Sequence, residues 1–387
     1  MAEIDPQHLI DLTQKLVRLP SEPGQERQVS ELLLQEMSSL GFDQVWMDEY
    51  GSVVGVVHGN HPGPTLLLDG HIDTVGVAPG LPWEHPPFAA EIEADKLYGR
   101  GATDMKGPLA AMILAAASLS RSQIHGVIVV SASVMEEVLE GAALQAVIEV
   151  VKPDLVLIGE PSDLKLVHGG RGRAEIRLVA IGRPSHSSAP QLGINAVQAI
   201  LPAIQKIESL PLPAHPVVGR AILALTDIIS EPYPGHSVIP SRCRATYDRR
   251  LIPGESRASV LAQLSDLPTL PGASLQATIA LGEYQTFTGK MLKREKWFPA
   301  WLLEKSHPFV EAASLGLERA GLPVVYGTYN FCTNAAYSIG VLGIPTIGFG
   351  PSPEGLAHIV DEYIEIDQLV KAAHGYQGVI ASALEPH

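Results

Sequence analysis

Only two cysteines, Cys243 and Cys332, occur in 387 residues, and no Cys-x-x-Cys spacing is present. That excludes a disulfide scaffold and a thiolate zinc cluster, and leaves both as inert core residues. Basic residues are also scarce: 27 lysines and arginines face 42 aspartates and glutamates, for a formal net charge of -15. A protein that grips nucleic acid needs a basic face to neutralise phosphate, so no nucleic-acid partner is expected. Bound cations are one way to silence part of such acidity. Long apolar runs are missing too. Met1 to Leu19 intersperse Glu3, Asp5, Lys15 and Arg18 among leucines, which is too polar for a signal segment or for a span of about 20 apolar residues. The expectation is a cytoplasmic protein without a membrane partner. No internal repeat or low-complexity tract stands out.

What is present is an ordinary globular composition, 46% hydrophobic and 18% charged, in a chain long enough for two domains. Asp5 and Pro6 open a helix with Leu9, Leu12, Leu16 and Leu19 on one face, and Pro20 stops it. A second helix carries Val29, Leu32, Leu33 and Leu40 and ends at Gly41. Strand-like runs at 65–69, 127–133 and 154–158 then alternate with helical runs at 107–119 and 141–151, the pattern of βαβ units. From Arg173 the rhythm changes to strand (Ala174, Ile176, Leu178, Ala180), helix (193–210), strands (221–229, 242–251, 274–281) and a helix at 256–264. A helix at 307–320 and a strand at 345–349 restore the first pattern. The reading is an α/β protein: a central, mostly parallel sheet flanked by helices, built from 1–170 and 286–387, with an α+β module inserted at 171–285.

Chemistry-bearing residues fall at the carboxyl ends of those strands, where open α/β sheets place their ligand crevice. His71 and Asp73 follow the run 65–69, Glu136 and Glu137 follow 127–133, Glu160 follows 154–158, and His358 follows 345–349. Asp104 lies in Gly-Arg-Gly-Ala-Thr-Asp-Met-Lys-Gly, a loop entering a helix. Each has an ordinary explanation alone: a helix cap for Asp104, a solvated first turn for Glu136-Glu137, turn chemistry for Glu160-Pro161, a polar loop for His186. Together, two histidines and several carboxylates make a mixed N/O donor set suited to zinc, cobalt or manganese, with a position left open for water.

On Gly-His-Ile-Asp-Thr-Val (70–75), the Asp104 loop, Glu136-Glu137, Gly-Glu-Pro-Ser (159–162), the segment around His186, Asp248-Arg249-Arg250, and Gly-Phe-Gly-Pro followed by Ala-His (348–358), the chain resembles the M20 metallopeptidase and amidohydrolase family. That family includes desuccinylases, deacetylases, aminoacylases and carboxypeptidases. His-Gly-Gly-Arg-Gly-Arg (168–173), Trp297-Phe298-Pro299 and Phe-Cys-Thr-Asn (331–334) make it most similar to the selenium-metabolism-linked hydrolase branch. The resemblance implies two divalent ions per subunit, with zinc first and cobalt or manganese as alternatives. His71 and Glu160 would bind one, Glu137 and His358 the other, and Asp104 would bridge them. Glu136 would be the general base and Asp73 would orient His71. His186, on a lid that also dimerises, would reach the partner subunit's site as an oxyanion donor. For the substrate, an Asp-x-Arg motif maps to Arg250, and Ser237 stands where relatives carry asparagine. That departure brings Arg171 or Arg173 into consideration, and Asn334 takes the place of an acidic residue. The implied reaction is hydrolysis of an amide or ureido C–N bond in an N-acyl or N-carbamoyl amino acid by a homodimer. Dipeptidase or carboxypeptidase action is the alternative, and a non-catalytic relative would have no reason to keep the full ligand set and Glu136.

Overall fold

The computed structural model describes residues 4–386. The chain enters through helices α1 (Pro6–Val17) and α2 (Arg27–Ser39), then strands β1 (Gln44–Met47), β2 (Val53–His58) and β3 (His61–His71). Asp5 caps α1 by accepting from the Gln7 amide, and Leu9, Leu12 and Leu16 bury its inner face. Helix α3 (Gly107–Ser118), strand β4 (His125–Ser133), helix α4 (Ala142–Val151) and strands β5 (Leu155–Ile158) and β6 (Leu166–Gly170) follow.

A second layer then forms from β7 (Gly172–Ile181), α5 (Ala196–Glu208), β8 (Ile222–Glu231), β9 (Arg242–Leu251), α6 (Arg257–Ala262), β10 (Ser274–Ile279) and β11 (Trp297–Phe298). Its sheet runs β8-β9-β7-β10, with β11 also paired to β7, and every pair is antiparallel. Along β7 the buried residues are Ala174, Ile176, Leu178 and Ala180, the period-2 pattern of a sheet with one face covered. They pack with Ile200, Ile204 and Tyr247 into a hydrophobic cluster separate from that of the main layer. Trp297 and Phe298 lie beyond 171–285 yet add to this sheet.

The chain returns through β12 (Trp301–Leu302), α7 (Pro308–Arg319), β13 (Tyr326–Tyr329), β14 (Thr346–Gly348) and α8 (Ile366–Ala383). Among the described residues the main sheet has nine strands, in the order β1-β2-β4-β3-β5-β14-β6-β12 with β13 beside β6. Its centre, β4-β3-β5-β14, is wholly parallel. Antiparallel strands β1, β2, β6 and β12 widen it on both sides, so the whole is a mixed sheet. Helix α8 carries two glycines, Gly375 and Gly378. They are there for packing: a Cβ on Gly378 would lie 2.1 Å from the Gly316 carbonyl oxygen, so α7 and α8 approach through glycine backbone.

Candidate metal centre

Because β4, β3, β5 and β14 are adjacent and parallel, their carboxyl ends share one edge of the sheet. That edge collects Glu136 and Glu137 after β4, His71 at the end of β3, Glu160 after β5 and His358 in the loop after β14. Asp104 arrives from the other direction, on the wide turn Ala102–Lys106 that leads into α3, where its own backbone leaves helical angles.

The geometry is paired about Asp104. Its Oδ1 lies 3.0 Å from His71 Nε2, and its Oδ2 lies 3.0 Å from His358 Nε2. Glu160 Oε1 stands 3.6 Å from the first imidazole and Glu137 Oε1 3.1 Å from the second. Donor atoms of His71, Asp104 and Glu137 fall within 4.8 Å of one another, as do those of His71, Glu136 and Glu160. His71, Asp104, Glu136 and Glu160 are buried, whereas His358 is exposed.

Electrostatics show what this arrangement lacks. Burial lifts Glu136 and Glu160 well above the usual carboxylate range, and Glu137 upward as well, with neighbouring carboxylates adding to the effect. Asp104 ends below its ordinary value: burial opposes this, and the hydrogen bonds of His358 and His71 prevail. His71 rises well above its ordinary value despite burial, driven by Glu160, Asp104 and Asp73. Hydrogen bonds to Asp104 and Glu137 push His358 up to about 10. Among the described residues, the ion pairs of Asp104, Glu137 and Glu160 are all with these two histidines, and Glu136 Oε1 is buried with no hydrogen-bond partner. Four carboxylates and two imidazoles without a lysine or arginine among their ion-pair partners form a donor set that fits divalent cations.

Asp73 has more to hold than expected. His71 Nδ1 lies 2.8 Å from the Asp73 backbone carbonyl and 3.6 Å from its Oδ1, contacts that place a proton on Nδ1 and turn Nε2 toward Asp104. The Asp73 carboxylate accepts the Glu136 and Glu137 backbone amides at 3.1 and 3.0 Å. One residue thus fixes both the histidine and the two glutamates.

A cavity of about 640 Å³ opens from the centre, with Arg171, Arg173 and Arg250 on its wall. Arg173 pairs with Glu140 at 3.0 Å and with Asp248 at 2.8 Å, and Asp248 also holds Arg250 Nε at 3.0 Å. Alternation along β9 explains why Arg250 reaches the cavity while its neighbour Arg249 is buried against Glu255. Glu140 and Phe331, also on the wall, were missed: neither sits in a metal-ligand motif.

Two expected substrate residues lie elsewhere. Asn334 is a correction: its Nδ2 donates to Asp69 Oδ2 at 2.8 Å and to Ser133 Oγ at 3.1 Å, while its Oδ1 accepts from the Gly141 amide. It is committed to supporting β3 and β4, and does not line the cavity. Ser237 sits beside the His186 segment, its carbonyl accepting from the Ser187 amide at 3.0 Å, and it is also absent from the wall. His186 is exposed and bonded to Ser188 Oγ at 2.7 Å, so its own subunit's cavity does not contain it.

Comparison with known proteins places these features in context. Residues 67–382 match the profile of Peptidase family M20/M25/M40. The uncharacterized protein YgeY of Escherichia coli (strain K12) is 32% identical over 378 residues, covering 95% of this chain and 93% of that one. An acetylornithine deacetylase of Buchnera aphidicola subsp. Acyrthosiphon pisum is 29% identical, covering 82% and 80%. Among solved structures, the Bacillus subtilis YXEP protein, described as a dinuclear metal binding peptidase from the M20 family, superposes with a TM-score of 0.68 at 16% identity, covering 98% of each chain. The last similarity concerns the fold.

Proposed function

The chain belongs to Peptidase family M20/M25/M40 and is a hydrolase of amide or peptide bonds; on that premise we propose that it hydrolyses an amide or ureido C–N bond in a small N-acyl or N-carbamoyl amino acid. The observation that carries this reading is a buried carboxylate with a free oxygen, Glu136, beside two bracketed donor sets and a cavity walled by arginines.

His71, Glu160 and Asp104 Oδ1 would hold one divalent ion, and His358, Glu137 and Asp104 Oδ2 another, zinc first and cobalt or manganese as alternatives. When bound, such ions supply Lewis acidity to water and to the scissile carbonyl. Glu136, raised by burial and by its acidic neighbours, accepts the proton of the attacking water on its unpartnered Oε1 and delivers it to the departing nitrogen. Asp73 keeps Glu136 in place through its backbone amide. At the far wall, Arg250 and Arg171 present guanidinium groups to the substrate carboxylate, with Arg250 steadied by Asp248.

Residues 171–285 act, in this reading, as a lid and dimerisation domain. Support comes from β8, an edge strand whose outer side has no partner among the described residues and whose Ile222, Leu225, Ile228 and Ile229 are 39–46% exposed. Apolar edges of that length are ordinarily covered. His186, exposed on the same domain, would on this reading serve the partner subunit's site as an oxyanion donor. Among the described residues no helix is long and apolar enough to cross a membrane. The protein is read as a cytoplasmic homodimer.

The runner-up is a metallo-dipeptidase or carboxypeptidase, favoured by a cavity of about 640 Å³ that accommodates two residues. A panel of N-acetyl, N-carbamoyl and N-succinyl amino acids and of dipeptides, assayed with zinc, manganese or cobalt, decides between them. Turnover confined to dipeptides would replace the first reading by the second.

A further inference from the structure

One buried carboxylate outside the proposed ligand set joins the turn that carries Asp104 to the segment that follows His358. Glu362 is fully buried, four residues beyond His358. Its Oε1 accepts three backbone amides of a single turn, Gly101 and Thr103 at 3.0 Å and Asp104 itself at 3.1 Å. Its Oε2 accepts from Arg100 Nη1 at 2.6 Å, and the Arg100 guanidinium lies over the Trp83 ring at 5.3 Å. A second tie joins the same segments, from Thr103 Oγ1 to the Tyr363 carbonyl at 2.6 Å.

The consequence is geometric. Asp104 sits in a turn whose angles at Asp104 and Met105 are not helical, so helical hydrogen bonding does not fix it. His358 lies in a loop with a left-handed backbone, φ 64°, and likewise has no regular ladder to hold it. The Asp104 carboxylate nevertheless faces two histidines at equal distance. Glu362 supplies the missing constraint: it gathers the amides around Asp104 on one oxygen and is carried by the segment that follows His358.

We infer that Glu362 is a positioning residue of the metal centre, setting the bridging Asp104 and the His358 loop in mutual register. It holds Asp104 by its backbone amide and does not itself line the cavity. Buried groups that orient ligands commonly matter nearly as much as the ligands do, their loss costing on the order of 10–100-fold in metal affinity or activity. The inference rests on the two-ion reading above.

Glu362→Gln is the test. The substitution keeps the shape, but its amide nitrogen must face either Arg100 or the three backbone amides, so donor meets donor in both rotamers. Elemental analysis of the full-length wild-type protein comes first: a chain that binds no divalent metal sinks the two-ion reading and leaves the geometry of Glu362 unused. If it binds two, the variant should bind zinc or cobalt on the order of 10–100-fold more weakly in competition with a chromogenic chelator. Its cobalt-loaded visible spectrum should change as well. The metal-induced rise in Tm should shrink relative to wild type, because stabilisation by a ligand follows its affinity. A merely structural role would lower the Tm of the metal-free and metal-loaded forms alike and leave affinity within about twofold, and that result overturns the inference. Should Glu362→Gln fail to fold, Thr103→Val removes only the second tie. It should weaken metal binding severalfold, and unchanged affinity there counts against the inference equally.

Discussion

Replacing Glu136 by glutamine separates two consequences of a single carboxylate. The side chain is 6% exposed and one oxygen has no partner. Burial, then the charges of Glu160, Glu140 and Glu137, raise its pKa, with His71 opposing. Glutamine fills the same space but cannot carry the water proton. A positioned base contributes roughly 10²–10⁴-fold, which at about 1.36 kcal/mol per decade is about 3–5 kcal/mol of the barrier. Turnover should fall by that factor at saturating metal. The metal-free protein should gain stability, since one acid is removed from a buried acidic group. Steady-state kinetics, elemental analysis and thermal unfolding with and without chelator read the three quantities. The structure also offers the opposing outcome: Glu136 groups with His71 and Glu160 within 4.8 Å. Loss of an ion in Glu136→Gln would make the residue a ligand, and near-native turnover with both ions bound would refute its role as base.

Other outcomes follow from the same geometry. Glu137→Gln should lower metal occupancy toward about one ion per chain, because His358 and Asp104 Oδ2 alone remain on that side; elemental analysis showing two tightly held ions would contradict the assignment. His186→Ala should cut turnover by on the order of a hundredfold with metal content intact, and mixing it with Glu136→Ala should restore activity in heterodimers; heterodimers that form yet stay inactive would place the histidine in its own subunit. Glu26 is buried, and burial, then the charge of Asp73, pushes it up to about 7 against the opposing backbone amides of Gly24, Glu26 and Met135. Its folded value exceeds the unfolded one, so its contribution to stability is full below the unfolded pKa and is lost as pH rises through the folded pKa. Glu26→Gln should therefore remove up to about 3 kcal/mol of decline between roughly pH 5 and pH 8 in the metal-free protein, measured by urea unfolding; an unaltered decline would count against it.

The strand ends were legible because the central parallel strands are buried on both faces and so read as short apolar runs, with chemistry beginning where each run stops. His71, Glu136, Glu137, Glu160 and His358 all follow such runs. Asp104 was legible only through its motif, since its turn belongs to no regular element. What escaped depends on pairing far along the chain. Asn334 looked like a pocket residue, but Asp69, 265 residues away, takes its amide into the core. Asp73 looked like a partner for one histidine, while its carboxylate serves two amides 63 and 64 residues on. Glu362 gave no signal, because its four donors come from residues 100–104 and are visible only once the β14–α8 segment returns.

The two layers divide the charge between them. The main layer contributes the four carboxylates and two histidines, all from strand ends and the turn before α3, whereas β7 and β9 of the second layer bring Arg173 and Arg250. A ladder of ion pairs, Glu140 to Arg173 to Asp248 to Arg250, crosses from one to the other. Glu140 is three residues beyond Glu137, so the ladder starts on the segment that carries the proposed base and ends at a guanidinium on the cavity wall. On the proposed reading, fixing the distance between a cationic wall and an acidic, metal-suited floor would select substrates by the separation of their own charged and scissile groups. Neither layer alone can set that separation. A substrate whose carboxylate lies too near or too far from the bond to be cut would meet one end and miss the other, so on this reading the second layer could alter the choice among small amides while the residues at the strand ends stay the same.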